Sequence, residues 1–233
     1  MNERYIVVNS LDGLTNNYLG EGLTGICYKV DNKVFKKFKM IPRFPGLVKQ
    51  LSMIHSDSFV FPNEFVYLNE YDIKYLQGYL MSYIDGVSLK NINEIVNMKE
   101  LCITLDNLEK EIKSLTEKDG LLIKDLHTEN MLFTKDNKFK IIDTDLCVIN
   151  PYDTVYNYRE NMKELGNCIL PVLMGNSDIT NSKVKYMYDL CTLESKAKPS
   201  KVLYEAIDCL EKETNEEIVT LHDFKENMKL IRK

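Results

Sequence analysis

The feature that most constrains this chain is a seven-residue segment set between two short apolar runs. Leu121-Leu122-Ile123 leads into Lys124-Asp125-Leu126-His127-Thr128-Glu129-Asn130, and Met131-Leu132-Phe133 follows. Asp and Asn five positions apart, between two short strands, make a loop that offers one carboxylate and one amide to the same point. A third run, Phe139-Lys140-Ile141-Ile142, follows the turn Thr134-Lys135-Asp136-Asn137-Lys138 and delivers Asp143 at its end, thirteen residues after Asn130. A carboxylate ending an apolar strand needs a partner, and Mg²⁺ fits the hard oxygen ligands of Asp143 and Asn130. Each residue alone also reads as a turn former or cap. Their order and spacing together are what set them apart.

Near the front of the chain, Gly20-Glu21-Gly22-Leu23-Thr24-Gly25 spells G-x-G-x-x-G. A dinucleotide-binding unit requires a helix directly after such glycines. Here Ile26 to Val30, an Asp31-Asn32 turn and Lys33 to Lys39 follow, which is a hairpin. That context fits a flap over phosphates, since glycine amides approach an anion with no Cβ in the way. A glycine-rich hairpin tip with no ligand fits equally. The two-residue period of strands puts Val34, Lys36 and Phe38 on one face, with Lys36 opposite Cys27 beneath the flap. A lysine on an apolar face calls for a counter-charge, such as a phosphate. The plain alternative is a lysine that snorkels to solvent.

Composition narrows the class. With 233 residues, 44% hydrophobic and 28% charged, the chain can bury a core and is neither disordered nor fibrous. A formal charge of −5 argues against a nucleic-acid binder. No window approaches a membrane span, and the first residues lack a signal-peptide pattern, so a cytoplasmic protein is expected. Six scattered cysteines without a C-x-x-C pair indicate neither disulfides nor zinc.

Strand-like segments fill the first third, including 65–70 and 75–84, with one short helix within 41–58. From about residue 86 the pattern turns helical. Leu101, Leu105, Leu108, Ile112 and Leu115 form one stripe ending at Gly120, and Met162, Leu165, Ile169 and Leu173 form another. Val202, Ala206, Ile207 and Leu210 make a third, and Thr220 and Asp223 form a capping pair before the last helix. The expected fold class is α+β: a bilobal arrangement with a small antiparallel-sheet lobe over residues 1–84 and a mostly helical lobe over 85–233.

From about Asn17 to Gly175 these motifs resemble the protein kinase superfamily, in the family's order of glycine flap, strand lysine, helix, linker, D-x-x-x-x-N loop and metal-binding Asp. The resemblance implies an ATP- and Mg²⁺-dependent phosphotransferase. It implies that Gly20, Gly22, Gly25, Cys27, Val34, Lys36, Met81, Ser82 and Ile84 bind the nucleotide, with Lys36 on the α and β phosphates and Met81 behind the adenine. Backbone groups of Ser82 and Ile84 would bond the adenine edge. Asp125 would orient or deprotonate the acceptor hydroxyl beside His127, while Asn130 and Asp143 would hold the metal. Asn161 stands where the family usually has Asp.

The departures from that pattern are informative. Ile123-Lys124 replaces the usual His-Arg, and Asp125-Leu126-His127 is closer to the loop of aminoglycoside and choline kinases. Asp143-Thr144-Asp145 lacks the usual Phe-Gly. No Glu lies between Met40 and Pro62 to pair with Lys36, and Glu64 is badly placed to do so. Residues 144–160 are too few for a phosphorylatable activation segment, so switching by phosphorylation there is not expected. The leading expectation is a compact Ser/Thr-type protein kinase. The alternatives are a small-molecule kinase, favoured by His127 and the short segment, and a nucleotide-binding pseudokinase acting as regulator or scaffold.

Overall fold

The computed structural model describes residues 4–42, 45–175 and 178–232. Strands β1 (Tyr5–Val8), β2 (Tyr18–Glu21), β3 (Gly25–Val30) and β4 (Lys33–Phe38) precede helix α1 (Pro45–Leu51). Strands β5 (Glu64–Leu68) and β6 (Leu76–Ser82) complete a six-stranded sheet of order β1-β5-β6-β4-β3-β2. Asp31 at the tip of the β3–β4 hairpin has a left-handed backbone (φ 54°), which its short polar side chain tolerates. The expected hairpin therefore forms, with Cys27 opposite Lys36.

β1 makes the sheet mixed, because it pairs parallel with β5 where the other pairings are antiparallel. Its pairing partner lies far along the chain, so no local turn signal announces it. β1 has a clear purpose in packing. Phe35, Val66 and Leu80 point to the sheet face away from the helices, and Ile6, Val8, Leu11 and Leu14 cover them. Phe35 is thus fully buried even though it alternates with lysines. The opposite face carries Val34, Phe38, Phe65, Tyr67, Tyr79 and Met81, packed with Val48 of α1.

The rest of the chain adds β7 (Gly86–Ser88), α2 (Met98–Asp119), β8 (Leu121–Leu122), β9 (Met131–Thr134), β10 (Phe139–Ile141) and β11 (Val148–Ile149). Helices α3 (Thr154–Met174), α4 (Ser182–Thr192), α5 (Pro199–Thr214) and α6 (Leu221–Asn227) follow. The helical pattern expected from residue 86 begins later, since β7 first pairs with β9. α4 has no counterpart in the periodicity reading, because its buried side mixes Val184 with Tyr188, Cys191 and Thr192. The stripes of α2, α3 and α5 are buried as expected in one continuous core. Gly120 ends α2 in the left-handed conformation (φ 70°), and a Cβ there would lie 2.7 Å from the backbone of Asn150. Thr220 and Asp223 form the expected capping box. Among the described residues no helix is long and apolar enough to cross a membrane.

A seam joins the sheet to the helical part. Val60 N–H donates to Ile141 O (2.9 Å), and Ile141 N–H donates to Ser58 O (2.7 Å). Glu111 of α2 accepts from the backbone N–H groups of Asp57 (2.7 Å) and Ser58 (3.1 Å) and from the hydroxyls of Ser56 and Ser58. Burial pushes the Glu111 carboxyl up, but these donors outweigh it and hold the group below its ordinary value of 4.5. A carboxyl lowered on folding adds stability above that ordinary value and loses it as pH falls through the folded one. Thermal midpoints of wild type and Glu111→Gln should therefore converge as pH is lowered from 6 through the carboxylate range. A gap between them that stays constant with pH would refute this role.

Candidate active site

Lys36 stands at the centre of the site. Its side chain is only 2% exposed, and its ammonium contacts Asp143 Oδ1 and, at 2.9 Å, Asp145 Oδ1. Strand alternation aims it at the inner face, as expected. Burial opposes the charged form, but Asp145 and Asp143 outweigh burial and raise the lysine above its usual value. The flap lies directly above. Gly22 N–H donates to Gly25 O (2.9 Å) to close its tip. A Cβ on Gly25 would meet Lys37 O at 2.7 Å and the Lys36 stem at 3.1 Å, so Gly25 is needed for close packing on the lysine. Gly20 and Gly22 face open space instead.

The two acids differ in outlook. Asp143 sits in the left-handed region (φ 59°), and its side chain remains 35% exposed. Burial pushes its carboxyl up, but Lys36 chiefly, and then Asp145, bring it below the ordinary range. Asp145 is 4% exposed and stays above its ordinary value, through burial and the like charge of Asp143 against the pull of Lys36. Two carboxylates face one ammonium here, which leaves the cluster short of positive charge. A divalent cation beside the more open Asp143 would answer that deficit. Among the described residues no three His, Cys, Asp or Glu converge as a closed metal cage. The donor set of one open carboxylate and one amide suits an ion that takes its other ligands from phosphates and water.

The 121–130 loop is fixed from below by Asn161 of α3, which is fully buried. Its amide nitrogen donates to Leu121 O (2.8 Å) and Thr116 Oγ1 (2.9 Å), and its oxygen accepts from Ile123 N–H (2.7 Å). Leu126 is buried as an anchor, while Asp125 (φ 59°) and His127 face solvent. Asn130 donates through its side chain to Asp125 O (3.3 Å) and through its backbone to His127 O (3.0 Å). Ile142 N–H in turn donates to Asn130 O (2.8 Å), one residue before Asp143. One hydrogen-bonded path therefore joins Asp125, Asn130 and the Asp143 strand.

Beside the lysine, Val34 pairs with Met81 across β4 and β6. Cys27, Tyr83, Ile84 and Ile142 pack against the same cluster, making an apolar wall. Tyr83 N–H is occupied by Asn32 O (3.0 Å), and Ser82 is exposed. An open cleft of about 830 Å³ lies elsewhere, between residues 52–63 and one face of α2, and reaches Ser82 and Ile84. None of Lys36, Asp125, Asn130 and Asp143 lines it.

Three residues of this centre escape a reading of motifs. Helix α1 contains no acid, and Glu64 pairs with Lys33 (3.2 Å) instead of Lys36. Asp145 stands by the lysine in its place, and the signal for it was a second Asp two residues beyond Asp143. Thr24 Oγ1, from the flap, donates to Asp145 Oδ2 at 3.4 Å. Tyr79 lies opposite Lys36 on β6, fully buried, with a hydroxyl that has no hydrogen-bond partner among the described residues.

A buried strand lysine on two acids under a glycine-tipped hairpin, above a loop that ties Asp125 to Asn130, defines a protein-kinase-like phosphotransferase. The family model for lipopolysaccharide core biosynthesis protein (WaaY) matches residues 25–148, just over half of the chain, and the chain belongs to that family. The matched span takes in Lys36, Asp125, His127, Asn130, Asp143 and Asp145, and stops short of Gly20, Gly22 and helices α3 to α6. The chain is accordingly a kinase. No individual curated protein matches it.

Replacing Asn161 by Ala strands the Ile123 N–H and the Leu121 carbonyl in the core, at about 1–3 kcal/mol for each group left unsatisfied, while the Thr116 hydroxyl keeps its bond to Ile112 O. Asn161→Ala should melt well below wild type and lose turnover more than nucleotide affinity. A variant of wild-type stability would show that the loop is held by other means.

Proposed function

We propose that this kinase transfers the γ-phosphoryl group of ATP to a hydroxyl of a small-molecule acceptor, specifically a sugar of the lipopolysaccharide-core type. The family match carries the choice of acceptor. The short stretch between Asp143 and α3 supports it, because it leaves little backbone to seat a peptide. A Ser/Thr protein kinase was the leading expectation from sequence, and the family favours the small-molecule alternative over it. The pseudokinase alternative has against it the intact set of Lys36, Asp125, Asn130 and Asp143.

In this reading the adenine lies between Cys27, Val34, Met81 and Ile142, with the backbones of Ser82 and Ile84 at its edge. Gly20, Gly22 and Gly25 form the flap over the phosphates, and Lys36 neutralises the α and β phosphates. Asn130 and Asp143 are the residues that would hold Mg²⁺, which supplies charge neutralisation to the phosphate oxygens. Asp125, exposed at the loop tip, accepts the proton of the acceptor hydroxyl as its oxygen attacks the γ-phosphorus. The bond from that phosphorus to the bridging oxygen breaks, and ADP leaves. His127, exposed two residues after Asp125 on the same loop, would offer a donor to the transferred group.

ADP release should be stimulated by dephosphorylated core oligosaccharides and not by a protein pool such as casein. Asp125→Asn should lower that turnover by roughly 10²–10⁴-fold while sparing nucleotide affinity. Asp143→Ala should lose the Mg²⁺-dependent part of nucleotide binding as well. Stimulation by casein alone would overturn the acceptor assignment, and full turnover in either variant would overturn the roles.

A further inference from the structure

We propose that Asp145 is a positioning residue, whose carboxylate is the standing counter-charge that keeps the Lys36 ammonium aimed at the nucleotide phosphates. The inference rests on the reading of Lys36 as the phosphate-holding residue and extends it. Both Asp145 oxygens are engaged on this side of the cleft, Oδ1 by Lys36 at 2.9 Å and Oδ2 by the Thr24 hydroxyl at 3.4 Å. Its side chain is 4% exposed, against 35% for Asp143. Both acids contact the lysine, but Asp145 is enclosed between the lysine and the flap, whereas Asp143 keeps about a third of its side chain exposed. Asp143 cannot serve as the lasting partner of the lysine if it is also the carboxylate turned toward a metal. Helix α1 offers no acid to take its place.

The location has a mechanical consequence. In a kinase whose lysine partner rides on a helix, movement of that helix makes and breaks the pair. Here the partner sits two residues from Asp143, in a short 3-10 turn (Thr144–Leu146) that Thr144 pins by donating to Val60 O at 2.9 Å. The ion pair is thus built into the rigid centre. Thr24 links it to the flap, so the lysine and the glycine tip are registered to each other through one carboxylate.

The test is a double-mutant cycle with Lys36→Met and Asp145→Asn, reading calorimetric affinity for Mg·ADP and for adenosine. Each single variant should bind Mg·ADP roughly tenfold more weakly, about 1.4 kcal/mol, and adenosine as wild type does. The double variant should bind Mg·ADP no more weakly than Lys36→Met, because Asp145 acts through the lysine. Additive losses, a loss of adenosine affinity in Asp145→Asn, or wild-type Mg·ADP affinity in that variant would overturn the proposal. Wild-type Mg·ADP affinity in Lys36→Met would instead show that the phosphate-holding reading has failed, and this inference with it. If Asp145→Asn does not fold, because it strands a buried ammonium, the double variant should fold again. A double variant that also fails to fold would count against the pair.

Discussion

An ammonium ion placed almost out of reach of water governs this molecule. Burying a lysine is unfavourable by several kcal/mol unless its charge is met inside the protein. Asp143 and Asp145 meet it, and they can do so only because the chain from β10 returns beneath the sheet. The hairpin that points Lys36 inward, the glycine that lets the flap close on its stem and the turn that presents both acids are therefore one construction. None of the three elements is useful without the others.

The seam between sheet and helices follows from the same need. Strand β10 must arrive at a fixed height for Asp143 to reach the lysine. The exchange of hydrogen bonds between Ser58, Val60 and Ile141 fixes that height, and Glu111 clamps the segment from the side of α2. The 144–146 turn is held to the same segment through Val60. Sheet and helices meet at a stitched edge beside Lys36 and its two acids.

Much of this was legible in the sequence because it is local. The Asp31-Asn32 turn, the facing of Lys36 and Cys27, the long stripe of α2 and the spacing of Asp125, Asn130 and Asp143 all depend on residues near one another in the chain. The parts that stayed hidden depend on distant pairings. β1 has strand-forming residues but finds its partner some sixty positions away. α4 buries a mixed surface with little periodicity. Asp145 was visible as the second acid of Asp-Thr-Asp, yet its role depends on a lysine more than a hundred residues earlier, which only the folded sheet brings to it. The acid beside Lys36 at 2.9 Å lay within a motif already noticed for lacking Phe-Gly.

Asn161 carries a consequence of its own. A carboxylate in its position would accept from Ile123 but could give nothing to Leu121 or Thr116, whereas the amide does both. The platform under the reactive loop is consequently uncharged and non-titrating. Acid, alkali and ionic strength act on the groups above it, and the footing on which those groups stand remains indifferent to all three.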